Sequence, residues 1–346
     1  VPGAPVNVLA TGDNNATATA NGGAIGGLSI AAMLPTAKVG GGVKAEFDGQ
    51  MTGGSALLLN VKGLGENTAD ATVRVASIGM LGGGAGARST AQVTSAADVE
   101  ARVGVNADIS TSGAVLVDAR LQGLENKAFA QALGLAGGTF LGVSVMLAEA
   151  EVGGAVIADF DGDVSTASQV TVQANGANLA LAHTVAASLG GVLGGSLTGA
   201  AANVTDQADV EATVGSTSSI TTGGAVLVKA TGENDAVTDS DAGSAGGIVG
   251  IAGSSLQAIV AGGVKAELDG DVQDASSVKV EAIGDNDAQA TAFAIAIGGL
   301  GAGAGADAYA EVTSSADVEA LVGSSSQLTV PGAPVNVLAT GDNNAT

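Results

Sequence analysis

His183 is the chain's only histidine, and there is no cysteine. Thiolate metal sites, disulfides and every site that needs two histidines are therefore excluded. A hydrolytic triad would have to use His183, yet no Gly-x-Ser-x-Gly elbow accompanies it. His183 sits in the alternating run Ala180-Leu-Ala-His-Thr-Val, where it reads as a structural side chain. The glycine-rich stretches could cradle phosphate through backbone amides, but there is no Gly-Lys pair for a Walker loop.

Carboxylates are the one abundant reactive group, with 34 acidic against 11 basic side chains. Pairs such as Asp159 with Asp161, Asp161 with Asp163, and Asp269 with Asp271 share a face of an extended strand and could converge on a cation. Oxygen ligands of this kind suit Ca2+. The glycine-rich Ca2+-binding nonapeptide is not matched, because Gly298-Gly-Leu-Gly-Ala-Gly puts glycine where its aspartate belongs. A second set precedes a recurring asparagine: Asp13, Glu66, Glu125, Glu233 and Asp285. Stacked in a column, these would repel one another unless water or a counterion screens them. They are the candidate Ca2+ ligands, although no cofactor is required. A net charge of −23 argues against nucleic acid or an anionic membrane as partner.

The elements that carry these residues repeat. The string VPGAPVNVLATGDNNAT at 1–17 recurs letter for letter at 330–346, a period of 329 residues. The chain is expected to be one unit of a tandem array plus the start of the next. Within the unit, a turn-like Gly-x-Asn or close variant recurs with its asparagine at Asn14, Asn67, Asn126, Asn178, Asn234, Asn286 and Asn343. Six repeats of about 55 residues result, at approximately 1–54, 55–113, 114–168, 169–224, 225–276 and 277–332. They alternate in kind. One kind reads Val43-Lys-Ala-Glu-Phe-Asp-Gly49, and the other reads Asp98-Val-Glu-Ala-Arg-Val-Gly104.

Period-two alternation runs through each repeat, as in Ala290-Thr-Ala-Phe-Ala-Ile-Ala-Ile297, followed by a glycine-rich corner at Gly298–Gly305 and a further run, Ala306–Val312. Alternation marks strands. Glycine every few residues would cost a helix about 1 kcal/mol each. Apolar residues reach 46% but aromatics only 2%, which favours thin interiors of small and β-branched side chains. These readings predict an all-β, parallel β-solenoid in which each repeat forms one layer. A string of β-sandwich domains of about 110 residues is the weaker reading, because the aromatic anchors are missing. The charge-free stretch from Ala242 to Val264 is expected in the solenoid interior, with no membrane insertion.

Charges give the register. Read down successive repeats, one column is Lys44, Glu100, Ile157, Glu211, Lys265, Glu319; the next is Glu46, Arg102, Asp159, Thr213, Glu267, Leu321; a third is Leu9, Lys62, Asp118, Gln173, Lys229, Glu281. Opposite signs adjoin repeatedly and like signs never do. Direct ladder neighbours prefer that arrangement, so Lys265 is predicted to lie between Glu211 and Glu319. Asp48, Asp161 and Asp269 are predicted to face Gly104, Gly215 and Gly323.

The Asn-x-Ala-x-Ala…Gly-Gly…Val-x-Ala-x-Val-Gly pattern, in an acidic and cysteine-free chain, resembles the repeats of giant bacterial surface and secreted exoproteins, the filamentous adhesins and leukotoxin-like proteins. The resemblance covers the whole chain. It implies an elongated extracellular or cell-surface fibre segment without catalysis, whose partners are further copies of itself along the array and laterally. The alternative is a Ca2+-dependent adhesion module that recognises glycan, mineral or neighbouring fibres through a repeated acidic face. A carbohydrate-cleaving β-helix enzyme would need a local charged cluster that breaks the repeat, and none is visible.

Overall fold

The computed structural model describes residues 5–52 and 58–346, and at Leu124 the backbone alone. The repeat boundary expected between 54 and 55 lies outside the described residues. The chain is all-β and winds into a parallel β-solenoid, with every strand pair parallel. The fifth coil shows the plan. Its long arm is the body of Ser219–Gly246, whose first three residues close the coil below by pairing with the closing-strand level of Asp271–Gln273. A two-residue corner leads to a return arm, Val249–Val260. A short third strand, Val264–Leu268, and the closing strand Asp271–Gln273 complete the turn.

Successive repeats are direct neighbours. Val6, Leu59, Val115, Val170, Val226, Val278 and Val335 stack in one column of the long arm. The third strands stack as a separate six-stranded sheet. Within it Lys265 pairs with Glu211 below and Glu319 above, as the charge columns require. Lys44 meets Glu100 at 3.6 Å, Lys229 meets Glu281 at 3.3 Å, and Arg102 meets Asp159 at 2.8 Å. Lys265 itself reaches its own-strand neighbour Glu267 at 2.7 Å. Gly104, Gly215 and Gly323 each lie against Asp48, Asp161 and Asp269. Asp48 uses the space to accept from the Asn106 amide at 2.9 Å, so the turn carboxylate ties one layer to the next.

The cross-section has two parts. The first half of the long arm, the third strand and the closing strand enclose a body filled by Val, Leu, Ile and the fully buried Phe160. The second half of the long arm lies directly on the return arm, and this blade is filled mainly by alanine. Small inward side chains bring the two blade sheets close, so the scarcity of aromatics is a geometric requirement. The charge-free stretch 242–264 alternates inward and outward along this blade. Among the described residues no helix is long and apolar enough to cross a membrane.

Two expectations need correction. The long arm pairs without interruption through Gly12, Asp13 and Asn14, so Gly-x-Asn is strand interior and not a turn. The inward glycine is needed because a Cβ at Gly232 would overlap Val264 Cγ2 of the third strand, and Gly284 stands in the same relation to Val318. The corner expected over Gly298–Gly305 is confined to Gly299 and Leu300, because Gly301–Val312 pairs residue by residue with Val249–Val260.

Candidate functional site

Where body meets blade, the asparagines form a ladder along the axis. Asn67, Asn126, Asn234 and Asn286 are fully buried and Asn178 nearly so. Each Nδ2 donates one hydrogen to the Oδ1 of the next asparagine. The distances from Asn14 through Asn343 are 2.8, 2.8, 2.9, 2.8, 2.8 and 2.8 Å. The other hydrogen goes to a backbone carbonyl before the third strand: Gly41, Ala97, Gly154, Ala208, Gly262 and Ala316. Every donor from Asn14 to Asn286 is satisfied, and these amide dipoles all point one way along the axis. Such a chain of bonds is mutually polarising.

Outside the ladder lies an open cleft of about 900 Å3 lined by Glu125, Glu233, Asp235, Asp285 and Asp342 among others. The long arm builds it. Residues flanking an inward asparagine must point outward, so acids before and after it stack in two columns. Asp13 lies on Glu66, and Glu233, Asp285 and Asp342 lie in succession. Asp235 stacks on Asp287. Glu125 belongs to the third coil, where extra residues break the register between Gly65 and Asn67. It is held by Lys127 at 3.2 Å.

The upper part of the cleft has no such relief. Among the described residues none of Glu233, Asp235, Asp285, Asp287 and Asp342 makes an ion pair, and Asp287 Oδ1 is buried without a hydrogen-bond partner. Burial, then Glu233, Asp287, Asp285 and Glu125, pushes the Asp235 carboxyl up to about 6.

The candidate ligands read from the sequence thus fall into place unevenly. Glu233 and Asp285 are adjacent in this cleft, Glu125 lines it from below, and Asp13 and Glu66 form a separate pair in the first two coils. Among the described residues no three acidic or imidazole groups are assembled as a cation-holding cluster. The sequence reading missed Asp235 and Asp287. The signal was the Asn-Asp pair shared by two adjacent repeats, at 234–235 and 286–287. The paired carboxylates Asp159 and Asp161 converge on Arg102, at 2.8 and 3.5 Å. Asp163 and Asp271 accept from the amides of Ser219 and Gln327 in the layer above. His183 stands on the outer face between Gln131 and Asp239, with Nδ1 3.4 Å from the Asp239 carboxylate.

No protein family, curated protein or solved structure matches the chain.

Proposed function

We propose that this chain is a structural segment of a long extracellular bacterial fibre, serving cohesion, reach or adhesion without catalysis. One observation carries the reading. Val335–Ala345, which repeats the sequence of the first coil, continues the stack on the sixth coil, with Asn343 accepting from Asn286 as Asn67 accepts from Asn14. The end of one unit is therefore shaped to receive the beginning of the next. The acidic, cysteine-free composition suits an exposed, hydrated thread. Six layers at 4.7–4.9 Å give about 29 Å of length per 329-residue unit. Electron microscopy and solution scattering of chains with increasing numbers of units test this. Threads that lengthen by about 29 Å per unit support the fibre, and compact particles of constant length overturn it.

The unpaired carboxylates of the cleft favour a second reading, in which Ca2+ screens the acidic face and promotes bundling or adhesion through it. The expected result is higher thermal stability or greater light scattering in millimolar Ca2+ than in chelator. Identical melting and scattering in both would dismiss it.

A further inference from the structure

The outer edge of the blade serves neither the ladder nor the cleft. At the corner between long arm and return arm, Leu81, Phe140, Val192, Ile248 and Leu300 follow one another up the axis. Their backbones are linked by hydrogen bonds: Phe140 N to Leu81 O at 3.0 Å, Val192 N to Phe140 O at 3.1 Å, Ile248 N to Val192 O at 3.0 Å, and Leu300 N to Ile248 O at 2.9 Å. From the second coil to the sixth every residue of the column is large and apolar, while the first coil has Gly27 at this corner between the exposed Ile25 and Leu28. All are exposed, Leu300 at 86%. The neighbouring long-arm column runs Ile25, Ile78, Gly137, Leu189, Ala245 and Ile297, and its four large members are also exposed. These side chains have no room to turn inward. Just inside the corner, a Cβ on Gly190, Gly246 or Gly298 would overlap the carbonyl oxygen of Leu193, Val249 or Gly301.

The polarity at this edge is reversed. Ser144, Ser188 and Ser196 are buried inside the blade while leucine, isoleucine and phenylalanine face out. No charged residue occurs in 128–148, 179–204, 242–264 or 288–306, and the charges nearest the edge, Arg74, Arg88, Asp241 and Asp307, lie halfway down the blade. The edge itself is therefore uncharged, while most of the charge of −23 is carried by the body and the base of the blade. A continuous apolar ridge of this extent marks an interaction surface.

We infer that this edge docks a second copy of the chain, blade edge to blade edge. Charge selects the partner. Two copies meeting at their uncharged edges keep their acidic bodies on opposite sides, whereas any contact through the bodies would press carboxylates together. An isologous two-fold contact needs only this one self-complementary strip. A lipid surface is the weaker occupant. The chain lacks tryptophan, has one tyrosine, and places no basic fringe beside the ridge, so the anchors of interfacial segments are absent.

The area sets the strength. Six layers make the strip about 29 Å long. The band around the corner, six residues wide at about 3.3 Å each, is about 20 Å across. The resulting ~600 Å2 per copy falls short of the ~800 Å2 per partner of a stable interface. One unit should therefore pair weakly, and two stacked units should pair firmly. The inference requires the solenoid but not the fibre reading.

Sedimentation equilibrium over a wide concentration range tests it, with this chain and with a chain of two successive units. The expected result is a weak monomer–dimer equilibrium for one unit and a much tighter one for two, both strengthened by salt, which screens the acidic bodies. The pair Phe140→Glu and Ile248→Glu, at exposed positions, should weaken dimerisation about tenfold or more by burying unpaired charge while leaving the far-ultraviolet circular dichroism unchanged. Ser324→Glu, on an exposed turn of the body, should leave it unaltered. Three results overturn the inference: a two-unit chain that stays monomeric throughout, a dimer indifferent to the two edge glutamates, or flotation of the chain with phosphatidylcholine vesicles in place of self-pairing.

Discussion

Asn178 shows how much one buried side chain does in this molecule. It donates to Asn234 Oδ1 and to the Ala208 carbonyl, and accepts from Asn126 Nδ2. Asn178→Ala strands those partners in a dry interior, at about 1–3 kcal/mol per unsatisfied group. Asn178→Asp has nearly the same shape but sets oxygen against oxygen at two contacts and adds a buried charge. Thermal melts should therefore rank the aspartate variant below the alanine variant at neutral pH, with the gap closing in acid as the carboxyl gains a proton. Equal stability at neutral pH would mean that the ladder is not polarised as described. Asp235 gives a pH dependence of definite sign. Its folded pKa of about 6 lies above the ordinary 3.8. The ionised form is thus penalised in the folded state, and that penalty is absent below about pH 4 and full above about pH 6. Asp235→Asn should raise the melting temperature at pH 7.5, and the gain should fade as pH drops through this window. A gain that persists at pH 4 would assign it to something other than charge. At this scale the spacing of the asparagines was legible in the sequence, but their role was not. Glycine and asparagine are the usual turn formers. Only the Val264 methyl against Gly232, and the carbonyl waiting for each Nδ2, turn the same pair into strand interior.

The strands are held in register by side chains that alternate in sign between layers, and Lys265 is flanked by acids in both neighbouring layers. It lies between Glu211 and Glu319 and bonds Glu267, and the Glu267 hydrogen bond with the surrounding glutamates holds its ammonium pKa above the usual lysine value despite partial burial. Lys265→Glu would exchange two favourable cross-strand pairs for two repulsive ones. At roughly 0.2–1 kcal/mol per pair, the variant should lose about 1–3 kcal/mol in denaturant unfolding. Adding Glu211→Lys rebuilds one pair, because its other neighbour is the neutral Ile157, and should recover about half of the loss. A double variant no more stable than the single one would show that sign alternation does not set the register. This layer of organisation was readable beforehand because parallel in-register stacking makes every column of the alignment a physical column. What escaped was length. The three-residue closing strands are too short to show a period, and glycine fits a corner and a flat strand equally well. Nothing local to Gly301-Ala-Gly-Ala-Gly305 marked it as strand; its partner, Val249-Gly-Ile-Ala-Gly253, decides the matter.

Across the whole molecule each coil touches only the coils above and below, so stability is approximately a sum of layer interfaces. Such an assembly has no single core, and its ends have one interface where the middle has two. Opening should then proceed inward from the terminal layers. The third coil supplies an exception. Its residues between Leu121 and Asn126 have no in-register partner in the coil below or above, since pairing breaks between Gly65 and Asn67 and again between Asn175 and Asn178. The backbone there has given up its ladder, although Asn126 itself remains bonded on both sides. Native-state hydrogen exchange should accordingly show three levels of protection. Amides of Val6–Met33 and Val335–Ala345, at the open ends, should exchange first. Amides around Asn178 and Asn234, in the middle of the stack, should be slowest. Residues 122–125 should exchange faster than both layers that flank them, as a local opening within a protected region. A single protection level from end to end would mean that the chain unfolds as one cooperative block and that the nearest-neighbour picture is wrong. Protection at 122–125 equal to that of the adjoining layers would leave the picture standing but show that the broken register is held by contacts other than its ladder.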